Sequence, residues 1–191
     1  EPLKVYISKG NSIYVRVRYL MGSPFEIMAF GGTVPCGETP VCENAIEAAF
    51  NEIARLERLL SIFREDSEIA RINRGERSAD PDVQEILALS AEYQKISHGA
   101  FDIRCSGSDG TINLGAIGKG YAIDKAVAIL KRFGITCAKI SCRSTIYGLG
   151  TPDGTSGWPV TIESPYGGEG FPVLLYDQAI STSSHAEQFG H

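Results

Sequence analysis

Hydrophobic and polar residues alternate one by one from Asn11 to Leu20. Ile13, Val15, Val17 and Tyr19 fall on one face, and Tyr14, Arg16 and Arg18 on the other. A period of two is the signature of a half-buried strand. Met21-Gly22-Ser23-Pro24 breaks the pattern, and Phe25 to Phe30 resumes it as a second strand, followed by a loop from Gly31 to Gly37. The period then changes. Ile46, Ala49, Phe50, Ile53, Leu56, Leu60 and Phe63 recur at helical spacing, which predicts a long amphipathic helix over 40–60. Thr39 can cap it, with Pro40 at the first helical position.

Ser67 to Arg74 is predicted as a short helical turn carrying Ile69 and Ile72. Asp80-Pro81 opens another helix, with Val83, Leu87 and Ala91 on one face, and His98-Gly99 ends it. Phe101 to Arg104 reads as a short extended piece, Cys105 to Gly110 as a turn-rich linker, and Ile112 to Leu114 as a strand. Gly115 to Gly120 opens a further helix with Ile123, Ala126, Val127 and Leu130 inward, and Gly134 is placed to be its left-handed C-terminal residue. Strands are predicted at Thr136 to Ser141, Ser144 to Leu149, Trp158 to Glu163, Phe171 to Leu175 and Gln178 to Ser183, with Tyr166-Gly167-Gly168 as a hairpin loop. No repeat of 20–50 residues is present. The order of elements predicts one α+β domain of antiparallel strands with helices on one face.

Composition narrows the function classes. Eighteen Lys+Arg against 23 Asp+Glu leave the 191-residue chain at −5, which argues against a broadly cationic nucleic-acid surface. The longest charge-free stretch, Ile27 to Gly37, has 11 residues, too few for a transmembrane helix. Glycine makes up 21 of 191 residues, about 11% against a usual value of roughly 7%, which points to tight turns and close backbone approaches. The five cysteines (Cys36, Cys42, Cys105, Cys137, Cys142) contain no CxxC pair and read as buried or incidental thiols. His98, His185 and His191 lack metal-ligand spacing, and Ser181-Thr182-Ser183-Ser184 with His185 lacks the GxSxG elbow of a serine hydrolase. Glu65, Asp66 and Glu68 read as a solvated helix entry. The chain opens at Glu1 and stops at Phe189-Gly190-His191, so both ends are expected to be the edges of a longer sequence, with any targeting segment removed.

Residues 112–124, INLGAIGKGYAID, carry the most chemistry. A strand feeding a glycine-rich turn and then a helix start offers backbone N–H groups and the positive end of the helix dipole. Lys119 adds a cation, and Asn113 can both donate and accept. The pattern is neither GxGxxG nor GxxxxGK[ST], so on chemistry alone it is either a diphosphate site or a tight strand–helix connection with Lys119 solvated.

Met21-Gly22 after the first strand, LLSIFREDSEIARIN (59–73), SHGAFDI (97–103), INLGAIGKGYAID (112–124) and ISTSS (180–184) follow in one order. Together they resemble the ApbE family, flavin transferases once labelled thiamine-biosynthesis lipoproteins, over about 14–191. The resemblance implies a T-fold-like single domain spanning 11–191, with a further C-terminal part beyond His191. It implies FAD:protein FMN transfer: FAD and Mg²⁺ bind, the diphosphate is cleaved, FMN passes to a threonine of an acceptor protein, and AMP is released. The family's flavin contacts fall on Met21, Phe63, Ala100, Phe101, Asp102, Asn113 and Lys119. A metal contact, by a backbone carbonyl, falls on Ala116. No catalytic residue is assigned. Family habit implies a periplasmic or membrane-associated protein of the bacterial envelope, with the cytoplasm as the alternative.

The chain departs from the family pattern in places. Asn113 stands where an Asp is common, and Cys142-Arg143 where a Gly-Gly pair precedes Ser144-Thr145. The span from Phe101 to Ile112 is short, and the DPxTG-like turn and the later Asp and Thr that complete the family's metal site are not among the 191 residues, which is expected either of a compact variant or of a longer sequence. The 191 residues are therefore expected to hold metal poorly and to transfer little FMN. Arg143 is expected to point into the cleft, toward a flavin phosphate or a carboxylate such as Asp102. The alternative functions are an FAD-binding or FAD-hydrolysing relative without transfer, and a non-catalytic binding domain.

Overall fold

The computed structural model describes residues 2–8, 11–31, 39–104, 110–143, 145–152, 154–164 and 169–182. Cys36 and the rest of the 31–37 loop after its first residue, the linker from Cys105 to residue 109, Ser144, the Tyr166–Gly168 loop and the tail from Ser183 through His185 to His191 lie outside them. Six strands form one antiparallel sheet: β1 (Lys4–Ser8), β2 (Asn11–Leu20), β3 (Ser23–Gly31), β4 (Ala138–Cys142), β5 (Thr145–Leu149) and β8 (Gln178–Ser181), side by side in that order. β6 (Trp158–Ile162) and β7 (Phe171–Leu175) pair as a separate two-stranded ribbon. The helices are α1 (Thr39–Leu60), α2 (Glu68–Asn73), α3 (Pro81–Ile96) and α4 (Gly118–Arg132). The α+β class, with antiparallel strands and helices on one face, is the one the sequence predicts.

Register decides which side chains share a face. Arg18, Phe25 and Cys142 lie opposite one another across β2, β3 and β4, as do Arg16, Ile27 and Ile140. Phe25, Ile27, Ala29, Ala138, Ile140 and Cys142 are buried together with the apolar stripes of α1 and α4. Burial of such side chains, at about 25 cal/mol per Å² of apolar surface, is the main force holding the layers together.

β2 is the exception to simple patterning. A half-buried strand ordinarily turns its apolar face to the core, yet here the face with Tyr14, Arg16 and Arg18 lies beneath α1. Arg16 pairs with Glu47 and, at 3.5 Å, with Glu43. Arg18 donates to both Glu47 carboxylate oxygens at 2.6 and 2.7 Å and sits 5.2 Å from the Phe50 ring centre. The hydrogen bond from Arg18 holds the Glu47 carboxyl below its ordinary range. Guanidinium groups are tolerated there because α1 supplies their counter-charges.

The ribbon is anchored on the opposite face. Trp158 packs edge-on against Phe30, 5.3 Å between ring centres, and its indole N–H donates to the Leu149 carbonyl at 3.0 Å. Gly148 makes room for it: a Cβ there would lie 2.7 Å from Trp158 Cδ1.

Local signals set most helix ends. Ser67 Oγ accepts from the Ala70 N–H, and Asp80 Oδ1 accepts from Asp82 and Val83. Gly134, at φ +81°, closes α4 with its N–H on Lys131 O and the Ile135 N–H on Leu130 O, a Schellman arrangement. Thr39 is the first residue of α1 and not its preceding cap.

Other expectations are corrected. β1 carries no usable period because Val5, Tyr6 and Ile7 are all exposed at the sheet edge. The 101–104 segment is a turn, not an extended piece. α3 buries Val83, Ile86 and Ser90, while Ala91 is exposed. Residues 112–114 join no sheet. The Asn73 side chain takes the place of a neighbouring strand, accepting from the Ile112 N–H at 2.8 Å and donating to the Ile112 carbonyl at 3.0 Å.

Candidate functional site

Two tight turns meet at one end of the sheet. Met21-Gly22 joins β2 to β3, and Arg143 with its successor joins β4 to β5. Phe25 pairs with Cys142, so both tips project from the same end. Met21 (φ +50°), Gly22 (φ +70°) and Arg143 (φ +40°) adopt left-handed backbone. Two-residue hairpins favour positive φ, but a residue with a Cβ is strained there by about 1–2 kcal/mol. Glu57 of α1 fixes the first tip by accepting from the Met21 N–H at 2.6 Å.

The glycine turn is built next to them. The Asn113 N–H donates to the Ile103 carbonyl at 2.8 Å, and Asn113 Oδ1 accepts from the Gly115 N–H at 2.8 Å, which bends the chain into an Asx turn. Leu114 O accepts from both Ile117 and Gly118. α4 then starts at Gly118 with no side chain capping it and no acidic residue in its first turn. A Cβ on Gly118 would lie 3.5 Å from Met21 Cε, so the Met21 side chain rests against the helix start.

A cleft of about 1330 Å³ opens here. Ala116, Lys119, Gly120 and Asp124 line it from the α4 side. Arg143 and Thr145 line it from the β4–β5 turn, and Ser181 and Thr182 from the end of β8. Tyr93, Ile96 and Phe101 form an apolar wall, and Val160 and Ile162 of the ribbon another. The Tyr93 and Phe101 rings stand nearly perpendicular, 6.1 Å between centres. Apolar walls with a few convergent polar groups are the usual build of a ligand site.

The cleft is electrostatically mixed. Among the described residues, Lys119 and Arg143 are its cations and Asp124 and Glu163 its carboxylates. Burial alone raises the Asp124 carboxyl above its ordinary range. α3 is clamped to α4 behind the wall. The Tyr121 hydroxyl lies 2.9 Å from both Asp82 Oδ1 and Glu85 Oε2, and Lys125 reaches the same two carboxylates at 3.0 and 2.6 Å. Burial pushes the Asp82 carboxyl up, but hydrogen bonds from Arg55, Lys125 and Tyr121 outweigh it and hold it at about 2.

Of the residues singled out in the sequence, Phe101, Ala116, Lys119 and Arg143 line this cleft, and Met21 and Asn113 shape the helix start beside it. Three stand apart. Asp102 lines a smaller cavity of about 270 Å³, its carboxylate accepting from the Arg104 N–H at 2.8 Å, so it is not the partner of Arg143. Ala100 is exposed in the turn after α3. Phe63 is 91% exposed on the loop after α1, where no core-packing role accounts for it. Sequence reasoning named no role for Asp124 and did not bring Thr145 and Ser181 together, whose hydroxyls lie 3.1 Å apart. Asp124 had a signal: it stands four residues past Gly120, on the same helix face.

Ala116 is exposed within the cleft, where a backbone carbonyl is a suitable hard ligand for a divalent ion. Among the described residues, however, no group of three or more His, Cys, Asp or Glu could hold a metal, so these residues do not complete a magnesium site. Cys42 and Cys142 are buried and Cys137 half-buried, and none of the three is in a disulfide among the described residues.

Known structures share this fold. The ApbE protein of Thermotoga maritima superposes with a TM-score of 0.76 at 18% identity, over 92% of this chain and 72% of that one. The flavin transferase ApbE of Vibrio cholerae gives 0.75 at 16% identity, over 100% and 74%. The flavinyl transferase ApbE of Pseudomonas stutzeri, in its apo form, gives 0.72 at 18% identity, over 91% and 66%. Comparison with curated protein sequences gives no match. The model of the ApbE family matches residues 21–108 and 103–191, nearly the whole length, and the chain belongs to the ApbE family.

Proposed function

We propose that this protein is an FAD:protein FMN transferase. One observation carries the reading: Phe101 of one motif block and Ala116 and Lys119 of another come together to line one cleft at the start of α4. The relatives from Vibrio cholerae and Pseudomonas stutzeri that share the fold are named as flavin transferases, which supports the same class of reaction here.

In this reading the FAD diphosphate lies at the start of α4. First-turn N–H groups and Lys119 stabilise its charge as one phosphate becomes a leaving group. The apolar walls at Tyr93, Phe101 and Ile162 take ring surface. The oxygen of an acceptor threonine bonds to the phosphorus of the FMN half, the bond to the AMP phosphate breaks, AMP departs, and the hydroxyl proton passes to solvent. Magnesium belongs to this reading as the family's ion, with Ala116 O as one contact. When bound it supplies charge neutralisation at the phosphates. A periplasmic or membrane-associated location is proposed on family habit, and fractionation of the producing cell tests it.

The deciding experiment incubates the protein with FAD and a threonine-bearing acceptor protein, with and without Mg²⁺. AMP is followed by chromatography and covalent flavin by in-gel fluorescence. AMP release with fluorescent acceptor supports transfer. AMP with free FMN makes the protein an FAD hydrolase, bound but intact FAD makes it a binder, and no FAD binding at all overturns the flavin reading.

A further inference from the structure

Resting on that reading, we infer that Arg143 is the residue by which this cleft tells a dinucleotide diphosphate from a mononucleotide. Arg143 holds a backbone conformation, φ +40°, that glycine would adopt without strain. The two-residue hairpin asks for that φ but not for an arginine: among the described residues no carboxylate pairs with the exposed guanidinium, so neither an ion pair nor core packing accounts for Arg in place of Gly. Asp102, the counter-charge expected from the sequence, lines a different cavity and accepts from the Arg104 N–H. A charged side chain held at a position that suits glycine, and lining a cleft, is where a ligand contact is to be sought.

Placement supplies the ligand chemistry. Arg143 comes from a hairpin tip fixed by the Cys142–Thr145 pair, and Lys119 from the first turn of α4, and both line one cleft. Two cations on two separately braced elements can hold two adjacent phosphates. The helix start and Lys119 take one, and the planar guanidinium fork takes the other through paired N–H donors. A nucleoside diphosphate ester engages both cations, whereas FMN or AMP, each with one phosphate, engages either but not both at once. Cleavage of the diphosphate thus weakens the hold on each half, which favours release of AMP.

The test measures binding of FAD, FMN, ADP and AMP to the full chain by titration calorimetry at three salt concentrations. Wild type, Arg143→Gly and Arg143→Lys are compared, with thermal melts of each. Arg143→Gly is expected to weaken FAD and ADP by about 10- to 50-fold, to change FMN and AMP less than about threefold, and to flatten the salt dependence of FAD binding. Its Tm should rise by about 2–4 °C as the left-handed strain is relieved, and Arg143→Lys should keep only part of the discrimination. Equal losses for mono- and diphosphates, or none, overturn the inference. So does a fall in Tm with unchanged affinities, which would make Arg143 a structural residue. If wild type fails to bind FAD, the flavin reading falls on its own, and the ADP-to-AMP ratio still decides the role of Arg143.

Discussion

Replacing Asn73 with Ala should loosen the candidate site from outside it. Asn73 sits on α2, away from the cleft, yet its side chain makes both backbone hydrogen bonds of Ile112. Ile112 is 3% exposed, so truncation leaves one N–H and one carbonyl buried without partners. Each such group costs about 1–3 kcal/mol, and movement of the short segment lets water recover part of that, for a net loss of about 2–3 kcal/mol. In a chain of this size, each kcal/mol lowers Tm by about 2–4 °C, which sets the expected fall at roughly 5–10 °C. The displaced segment leads directly into Asn113 and the glycine turn, so FAD affinity should fall as well. Asn113→Ala is the control, since it removes one hydrogen bond to the exposed Gly115 N–H and should cost under about 1 kcal/mol. Thermal and urea melts of both variants, with FAD titrations, check the reasoning. An Asn73→Ala protein within about 0.5 kcal/mol of wild type would refute it, because segment 112–114 would then be held by something other than the Asn73 amide.

Lys119→Ala should weaken FAD binding by about 1.5–3 kcal/mol, the worth of a charge-assisted hydrogen bond, and leave Tm nearly unchanged. Unaltered affinity in calorimetry would remove Lys119 from the site. Phe63→Ala should shift stability by less than about 0.5 kcal/mol because the ring is 91% exposed. A several-fold loss of FAD affinity in the same variant is the expected sign of ring stacking, and equal affinity would leave Phe63 without a role. Asp82 sets an acid limit. Its carboxyl, held at about 2 against an ordinary 3.8, contributes stability that is complete above about pH 4 and drains away as pH falls toward 2. The contribution is about 2 kcal/mol, so wild type should lose more Tm than Asp82→Asn between pH 4 and pH 2, and parallel curves would count against the Arg55–Asp82–Lys125 network.

What the chain shows without its fold is whatever depends on neighbours close in sequence. The period of two in β2, the helical stripe from Ile46 to Leu60, the short helix after Ser67, the helix opening at Asp80-Pro81 and the Gly134 stop all depend on neighbours within a turn or a strand, so each was legible and each stands. The glycine turn before α4, with Lys119 in its first helical turn, was legible for the same reason. Tertiary structure decided everything that joins distant segments. Which face of β2 is inward depended on Glu43 and Glu47, about thirty positions away, because an arginine can be covered once a carboxylate meets it. Residues 112–114 look like a strand by composition, but Asn73 takes the place of the missing neighbour. Met21, Arg143 and Lys119 come together because the Phe25–Cys142 register places two hairpin tips at the same end of the sheet, under the start of α4. Register and helix docking are set by the burial of whole faces, and no local window of sequence contains that sum.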